Sequence, residues 1–205
     1  MTRLLPTAPA RTIRTSELDH RDRPREECGV VGITGIDRAA ELVFLGLYAL
    51  QHRGQEAAGI VSVDDEGQAH VHKGLGLVAD AFNADTLSQL PGATSIGHVR
   101  YSTAGGGGTT NAQPIVVRYA EGDLAVAHNG NLTNAQELRE RLVREGAIFQ
   151  STNDSEVIVH LMARSRHDTV EAQLDDALTH LEGAFSLVVT VGDTLYAVRD
   201  AHGFR

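Results

Sequence analysis

The sequence predicts an α+β domain in which helices cover antiparallel sheets. Two observations support this class: strand-like apolar runs come early and late in the 205 residues, and segments with helical apolar spacing lie between them. Twenty-one glycines, few aromatic residues and no tryptophan indicate a compact fold with many tight turns. The order does not suit a doubly wound parallel sheet, and the length suits one domain.

In the first half, an apolar β-branched run after a charged segment predicts the first strand, and leucines at helical spacing predict the first helix. The turn Asp64–Gly67 predicts a hairpin. The predicted elements are strand Cys28–Thr34, helix Ala39–Gln51, strands Gly59–Val63 and Ala69–His72, short helices Val78–Asn83 and Asp85–Leu90, and strand Thr94–Ser102.

The second half begins with a loop over Gly105–Gly108, because four consecutive glycines lose too much entropy inside a helix or strand. Thr133 is predicted to cap a helix that runs to Arg144, with Gln136 at the capping-box position. The remaining predicted elements are strands Pro114–Arg118 and Leu124–His128, helices Asp154–Arg164 and Thr169–Leu181, and the hairpin Ala184–Val191 with Thr194–Arg199.

Charge and composition exclude several classes. The net charge is −9, and residues 1–27 hold six arginines against five acids, so the remainder carries −10. A nucleic-acid binder more often has a basic face. No apolar run reaches the length of a membrane helix. The single cysteine excludes an intramolecular disulfide and fits a reducing compartment, which predicts a cytoplasmic location.

We expect residues 1–27 to be a disordered leader that is removed or merely solvated, and residues 28–205 to form the domain. The leader is low in apolar residues, and its acids do not suit a transit peptide. The chain stops directly after a strand-like run, which favours truncation of a longer protein.

The cysteine itself, Cys28, stands where the first core strand begins. A cut before it would place thiol and α-amine on one residue. The amine titrates near pH ~8 and the thiol near ~8.5, so the amine could act as the base for its own thiol. The alternative is a small buried apolar residue, which is the commoner role of a lone cysteine.

Three further polar clusters lie at predicted strand ends or loops. Arg100 leads into the glycine-rich loop and could hold a carboxylate, or lie on an exposed strand face. Asn129 and Gly130 could supply oxyanion donors, or form a plain turn. Asp154 could receive a substrate ammonium, or else Asp154 or Ser155 could cap the helix that follows.

A metal site is not predicted. His70 and His72 share one strand face, but the sequence holds no Cys-x-x-Cys or His-Glu-x-x-His pattern. The glycine run lacks the Gly-Lys-Ser/Thr ending of a phosphate-binding loop.

Together the clusters resemble the glutaminase domain of class II glutamine amidotransferases, which are N-terminal nucleophile hydrolases. The resemblance runs from Cys28 to the end of the chain and follows the order of five motifs. Those motifs are Cys28–Ile33, Leu47–Glu56, Asn111–Pro114, Ala127–Asn134 and Arg199–Gly203. The resemblance implies a four-layer αββα sandwich of two antiparallel sheets.

The resemblance also implies a role for each matching residue. Cys28 attacks the side-chain amide of glutamine, and Asn129 and Gly130 stabilise the oxyanion. Glutamine is held through its α-carboxylate by Arg100 and through its α-ammonium by Asp154. The resemblance further implies that Arg53 and Gly54 line the pocket of the nucleophile, and that Thr103 shapes a loop closing over glutamine.

Within the family, the motifs are most similar to enzymes that deliver the ammonia to phosphoribosyl pyrophosphate in the first step of purine biosynthesis. This implies a phosphoribosyltransferase domain outside the chain, with Mg²⁺ and in some relatives an iron–sulfur cluster in that domain, and no cofactor in this one. It also implies a homo-oligomer. Two alternatives stay open: the same glutaminase domain serving another acceptor, and an inert regulatory module that keeps the fold.

Overall fold

The computed structural model describes residues 28–101 and 108–204 and contains two four-stranded antiparallel sheets. The first sheet has the strand order β1-β4-β2-β3, and the second has the order β5-β6-β7-β8. The α+β prediction is confirmed. The predicted leader, residues 1–27, and most of the predicted glycine loop lie outside the described residues.

The strands and helices follow the predicted order, with bounds that differ at the ends. The strands are β1 Gly29–Thr34, β2 Ala57–Val63, β3 Ala69–Leu75, β4 Thr94–Arg100, β5 Ile115–Tyr119, β6 Gly122–Leu132, β7 Gly183–Val191 and β8 Thr194–Arg199. The helices are α1 Ala39–Leu50, α2 Val78–Ala81, α3 Ala84–Ser88, α4 Ala135–Arg144, α5 Glu156–Arg164 and α6 Val170–Thr179. Single 3-10 turns cover Gln51–Arg53 and Thr109–Asn111.

Three apolar clusters hold four layers together. The helices α1 to α3 pack on the outer face of the first sheet through residues such as Val43 and Leu47. The helices α4 to α6 cover the second sheet around Leu142 and Ile158. Between the sheets lies a smaller cluster of Val61, Ile96, Ala125, Ala127 and Val188. The layers are therefore helix, sheet, sheet, helix, which is the predicted αββα sandwich.

One end of the second sheet is incomplete. The pairing of β5 with β6 stops at Ile115 and Val126, whereas β6 continues to Leu132 and stays paired with β7 up to Gly183. Pro114 precedes β5 and has no backbone N–H to extend the ladder. Residues 127–132 of β6 therefore have no described strand neighbour on the β5 side, and we call this stretch the open edge of β6.

The predicted start of α4 is wrong. Thr133 lies in the turn directly after β6, where its backbone N–H donates to the Glu182 carbonyl at 2.8 Å and its hydroxyl to the same carbonyl at 3.2 Å. The N-cap is Asn134, whose side chain bonds the backbone of His180 and Glu182 instead of the helix. Cross-strand pairing with β7 extended β6 past the predicted end at His128.

Among the described residues, no helix is long and apolar enough to cross a membrane. This agrees with the absence of long apolar runs in the sequence.

The packing of α1 predicts that two leucines of the same helix differ in their effect on stability. Leu47 is fully buried against the first sheet, whereas Leu45 is 58% exposed. We expect Leu47→Ala to lower the free energy of unfolding by ~2–5 kcal/mol, because it leaves a cavity. Leu45→Ala should change it by less than ~0.5 kcal/mol. Urea denaturation of both variants measures the difference, and equal losses would contradict the layer assignment.

Candidate active site

A cavity of about 570 Å³ lies beside the open edge of β6. It contains four of the predicted site residues, although they are far apart in the sequence: Cys28, Arg100, Gly130 and Asp154. The other lining residues come from the ends of β4 and β6, the start of α4 and the loops before β5 and α5: His98, Tyr101, Asn111, Gln113, His128, Asn131, Leu132, Thr133, Ala135, Gln136, Arg139, Thr152 and Asn153.

A larger cavity of about 740 Å³ lies at the opposite end of the first sheet. Its lining includes Asp37, Glu41 and Asp64 but none of the predicted site residues. The chemistry that the motifs predict therefore belongs to the smaller cavity.

Hydrogen bonds to its backbone groups hold Cys28 in place. Its N–H donates to the Arg53 carbonyl at 3.1 Å, and the Nε of Arg53 donates back to the Cys28 carbonyl at 2.9 Å. The thiol is partly buried, with Sγ 3.8 Å from the Tyr101 carbonyl oxygen. The φ of Cys28 is +63°, a conformation that side-chain-bearing residues rarely adopt. The 3-10 turn Gln51–Arg53 thus fixes the position of the cysteine.

Arg100 ends β4 with its side chain 19% exposed. Its Nη1 lies 3.7 Å from Oε1 of Glu56, which is too long for a hydrogen bond. Within the described structure, this buried Nη1 has no hydrogen-bond partner. Gly54 lies against the same residue: a Cβ there would come within 2.8 Å of the Arg100 backbone nitrogen. Arg100 thus presents an unused donor beside the thiol.

Side chains satisfy the backbone of the open edge of β6. The N–H of His128 donates to Oε1 of Gln113 at 2.7 Å, and the His128 carbonyl lies 3.1 Å from Nε2 of His98. Four residues on, the N–H of Leu132 bonds the carboxylate of Asp154. Gly130 lies between these two residues on the open edge and lines the cavity.

Only glycine fits at position 130. Its φ is +144°, and a Cβ would lie 2.2 Å from the Ala184 carbonyl oxygen. The preceding residue, Asn129, pairs with Ser186 of β7 and is buried beside the cavity without lining it.

Asp154 is held as a carboxylate. Burial raises its pKa, but hydrogen bonding and charge from His128, the Leu132 N–H and the Ser155 hydroxyl outweigh burial and bring the pKa below 3.8. The Ser155 hydroxyl lies 2.8 Å from Nδ1 of His128. It makes no capping bond to α5 within the described chain. Asp154 therefore lines the cavity, and Ser155 bonds the ring of His128 instead of capping the helix.

Sequence reasoning missed the residues that shape the loop before Asp154. Arg139 donates to the carbonyls of Ser151 and Asn153 at 3.0 and 2.7 Å. The buried carboxylate of Glu156 accepts the N–H of Ser151 at 2.8 Å. These bonds run to backbone atoms, which carry no side-chain signal in a sequence, so no pattern could have found them.

Asn111 ties the same loop to the chain before β5. Its Oδ1 accepts the Thr152 N–H at 3.1 Å, and its carbonyl accepts from Nδ2 of Asn153 at 3.2 Å. Asn111 does belong to a motif quoted above, but the motif alone does not name its partners.

Among the described residues, three of the predicted site residues do not line the cavity: Arg53, Gly54 and, as noted above, Asn129. Arg53 donates a hydrogen bond to the Cys28 carbonyl, and Gly54 packs against the backbone of Arg100. Thr103 lies outside the described residues. Within residues 28–101 and 108–204 no cluster of three or more potential metal ligands exists. His70 and His72 bond separately to Asp64 and to the Ala81 carbonyl.

Comparisons with known proteins agree on one family. Residues 98–205 match the glutamine amidotransferase domain family. Amidophosphoribosyltransferase 2 of Arabidopsis thaliana is 50% identical over 187 residues, which are 91% of this chain and 33% of that protein. The amidophosphoribosyltransferase of Lacticaseibacillus casei is 50% identical over 181 residues, which are 88% of this chain and 93% of that sequence.

A solved structure supports the same conclusion. The glutamine phosphoribosylpyrophosphate amidotransferase of B. subtilis, in complex with ADP and GMP, superposes with a TM-score of 0.80 at 42% identity. The match covers 86% of this chain and 38% of that chain. The chain thus spans about a third of the length of most of the relatives it matches.

The lowered pKa of Asp154 predicts a pH-dependent contribution to stability. A carboxyl whose native pKa lies below its unfolded value stabilises the fold above that unfolded value, and the contribution is lost as the pH falls through the native pKa. We expect wild-type protein to be more stable than Asp154→Asn at neutral pH, and the difference to shrink as the pH falls below 3.8 and through the lower native pKa. Urea denaturation at several pH values measures it.

The matched control is Asp175→Asn, which removes an equal charge from an exposed position of α6. A stability difference for Asp154→Asn that stays constant with pH would contradict the assigned hydrogen bonds.

Proposed function

Because the chain belongs to the amidophosphoribosyltransferase family through its glutamine amidotransferase domain, we propose that its cavity binds glutamine and hydrolyses the side-chain amide. The observation that carries the proposal is the convergence of Cys28, Arg100, Gly130 and Asp154 on one cavity. These groups supply a nucleophile, a cation, an oxyanion donor and an anion. The nucleophile and the oxyanion donor match the side-chain amide of a free amino acid. The cation matches its α-carboxylate, and the anion matches its α-ammonium.

The charges at the cavity fix the orientation of the substrate. The guanidinium of Arg100, with its unused buried Nη1, receives the α-carboxylate through charge-assisted hydrogen bonds. Asp154 stays ionised because its pKa is lowered, and its carboxylate receives the α-ammonium. Together they direct the side-chain amide towards the thiol.

Processing between Glu27 and Cys28 provides the base. The freed α-amine takes the proton of the thiol, the sulfur attacks the amide carbon, and the amine passes the proton to the leaving ammonia. Water then attacks the thioester, and glutamate leaves as the thiol is restored. The φ of +63° supports this proposal: the conformation costs roughly 1–3 kcal/mol, and cutting the preceding peptide bond removes the strain.

Asn129 and Gly130 stabilise the tetrahedral intermediate. Gly130 supports this role because it lines the cavity together with Cys28, in a backbone conformation that excludes a side chain. Asn129 adds a side-chain amide. A preorganised donor of this kind lowers the barrier by ~3–4 kcal/mol.

For the complete protein we propose that the ammonia passes to phosphoribosyl pyrophosphate and forms 5-phosphoribosylamine. The names of the relatives support this acceptor over those of other glutamine amidotransferases. The phosphoribosyltransferase domain, its Mg²⁺, an iron–sulfur cluster, the homo-oligomer and the cytoplasmic location stay predictions.

Covalent labelling tests the nucleophile. We expect an electrophilic glutamine analogue to modify Cys28 in protein that begins with this residue, and not in protein that retains residues 1–27, because only the free amine activates the sulfur. Mass spectrometry locates the adduct, and Cys28→Ser is the control. Labelling of the uncut protein at an equal rate would disprove the amine as base, and no labelling after confirmed processing would favour an inert module.

Steady-state kinetics separates binding from chemistry. Arg100→Ala and Asp154→Ala should raise the KM for glutamine, because each removes one ionic contact. Asn129→Ala should lower kcat by ~100- to 1000-fold through loss of an oxyanion donor. Arg164→Ala, which removes surface contacts to the carboxylate and the backbone carbonyl of Glu145 and does not line the cavity, is the control. An unchanged KM in both binding variants contradicts the proposed orientation.

A further inference from the structure

We propose that His98 is a positioning residue for the oxyanion donors: it replaces the missing strand at the open edge of β6 and fixes the peptide group between His128 and Asn129. The inference rests on the proposed function and assigns the site a residue that does not touch the substrate. It follows from where β5 ends, from one hydrogen bond and from the chemistry of a buried imidazole.

The hydrogen bond crosses the sandwich. His98 is on β4 of the first sheet, two residues after Ile96, which packs between the sheets. Its Nε2 lies 3.1 Å from the carbonyl oxygen of His128 on β6 of the second sheet. A carbonyl can only accept, so Nε2 carries the hydrogen. This is a direct polar link between the two sheets beside the cavity.

The bond from His98 replaces a hydrogen bond that a neighbouring strand would have made to β6. In the paired part of β6, the backbone groups on this side bond to β5. At His128 the N–H is taken by the amide oxygen of Gln113 and the carbonyl by the imidazole of His98. Both side chains are buried, and together they satisfy the backbone N–H and carbonyl of His128.

The held carbonyl belongs to the peptide whose nitrogen is that of Asn129. Its plane sets the direction in which the chain enters Asn129 and Gly130, the two proposed oxyanion donors. A peptide plane that could rock would move the donors relative to the thiol, and misplacement by about 1 Å can lower a rate by ~100-fold.

The imidazole of His98 is suited to holding the His128 carbonyl by a hydrogen bond rather than to transferring a proton. Burial, with smaller effects from the charges of His128 and Arg100, lowers its pKa to about 3, so it stays neutral while the enzyme works. Its Nδ1 is buried and has no hydrogen-bond partner in the described structure. A proton there would be an unpaired buried charge, so the ring keeps a single tautomer, with hydrogen on Nε2.

Three substitutions of His98 test the proposal in the processed protein. The amide nitrogen of Gln can take the place of Nε2 and donate to the His128 carbonyl, whereas Asn is one methylene shorter and Ala has no donor. We expect His98→Asn and His98→Ala to lower kcat for glutamine hydrolysis by ~10- to 100-fold with little change in KM. His98→Gln should restore most of kcat.

Two further measurements separate positioning from other roles. The pH profile of His98→Gln should keep the wild-type shape, because the ring does not titrate in the working range; a changed shape would make His98 an acid or base and overturn the proposal. Amide hydrogen exchange at Asn129 and Gly130 should be faster in His98→Ala than in wild type. This second readout needs no activity, so it tests the inference even if the protein fails to hydrolyse glutamine and the proposed function falls.

Ser95→Ala is the matched control. Ser95 is buried on the same strand, and its hydroxyl donates to the Val61 carbonyl at 2.7 Å, within the first sheet. This variant should keep wild-type kcat and wild-type exchange at Asn129 and Gly130. If His98→Ala behaves like Ser95→Ala, or if His98→Gln is as impaired as His98→Ala, the inference is wrong.

Discussion

Beyond the pair of Ile115 and Val126, strand β6 loses its neighbour on one side, while β7 continues to hold the other side. A strand in this position must satisfy its free backbone groups with something other than a strand. Here Gln113 and His98 bond the backbone of His128, Asp154 bonds that of Leu132, and Gly130 lies between them. The cavity and its backbone donors both result from this interrupted pairing.

The sandwich brings the remaining groups to the same end. The antiparallel register places the start of β1 next to the end of β4, because Gly29 pairs with Val99. Cys28 and Arg100, which immediately flank these residues in the chain, are therefore neighbours. Close packing of the sheets depends on small residues: a Cβ on Gly32 would lie 2.6 Å from Cγ1 of Val188. The same closeness allows the imidazole of His98 to reach β6.

The sequence predicted the order of the elements, the fold class and four residues of the cavity, since hydrophobic period and motif order are properties of the chain itself. It did not predict the end of β6, because the strand continues only through its pairing with β7, and a pairing partner 50 residues away leaves no local trace. It assigned capping roles to Thr133 and Ser155, whose hydroxyls instead bond the Glu182 carbonyl and the His128 ring. A local preference for helix capping is overridden where a residue distant in the sequence offers a hydrogen-bond partner.

Under the proposed function, the donor of Arg100 that has no hydrogen bond makes the site less stable but ready to bind a carboxylate. A buried cationic donor without a hydrogen bond destabilises the fold, and Glu56, 3.7 Å away, offsets this only in part. A shorter contact would stabilise the protein further, but it would occupy the donor that the proposed contact with the glutamine carboxylate uses. Asp154 differs, because its carboxylate already has three partners, and a substrate ammonium would add to them. On this reasoning, recognition of the carboxylate contributes more of the selectivity, since it satisfies a group that the protein alone leaves unsatisfied.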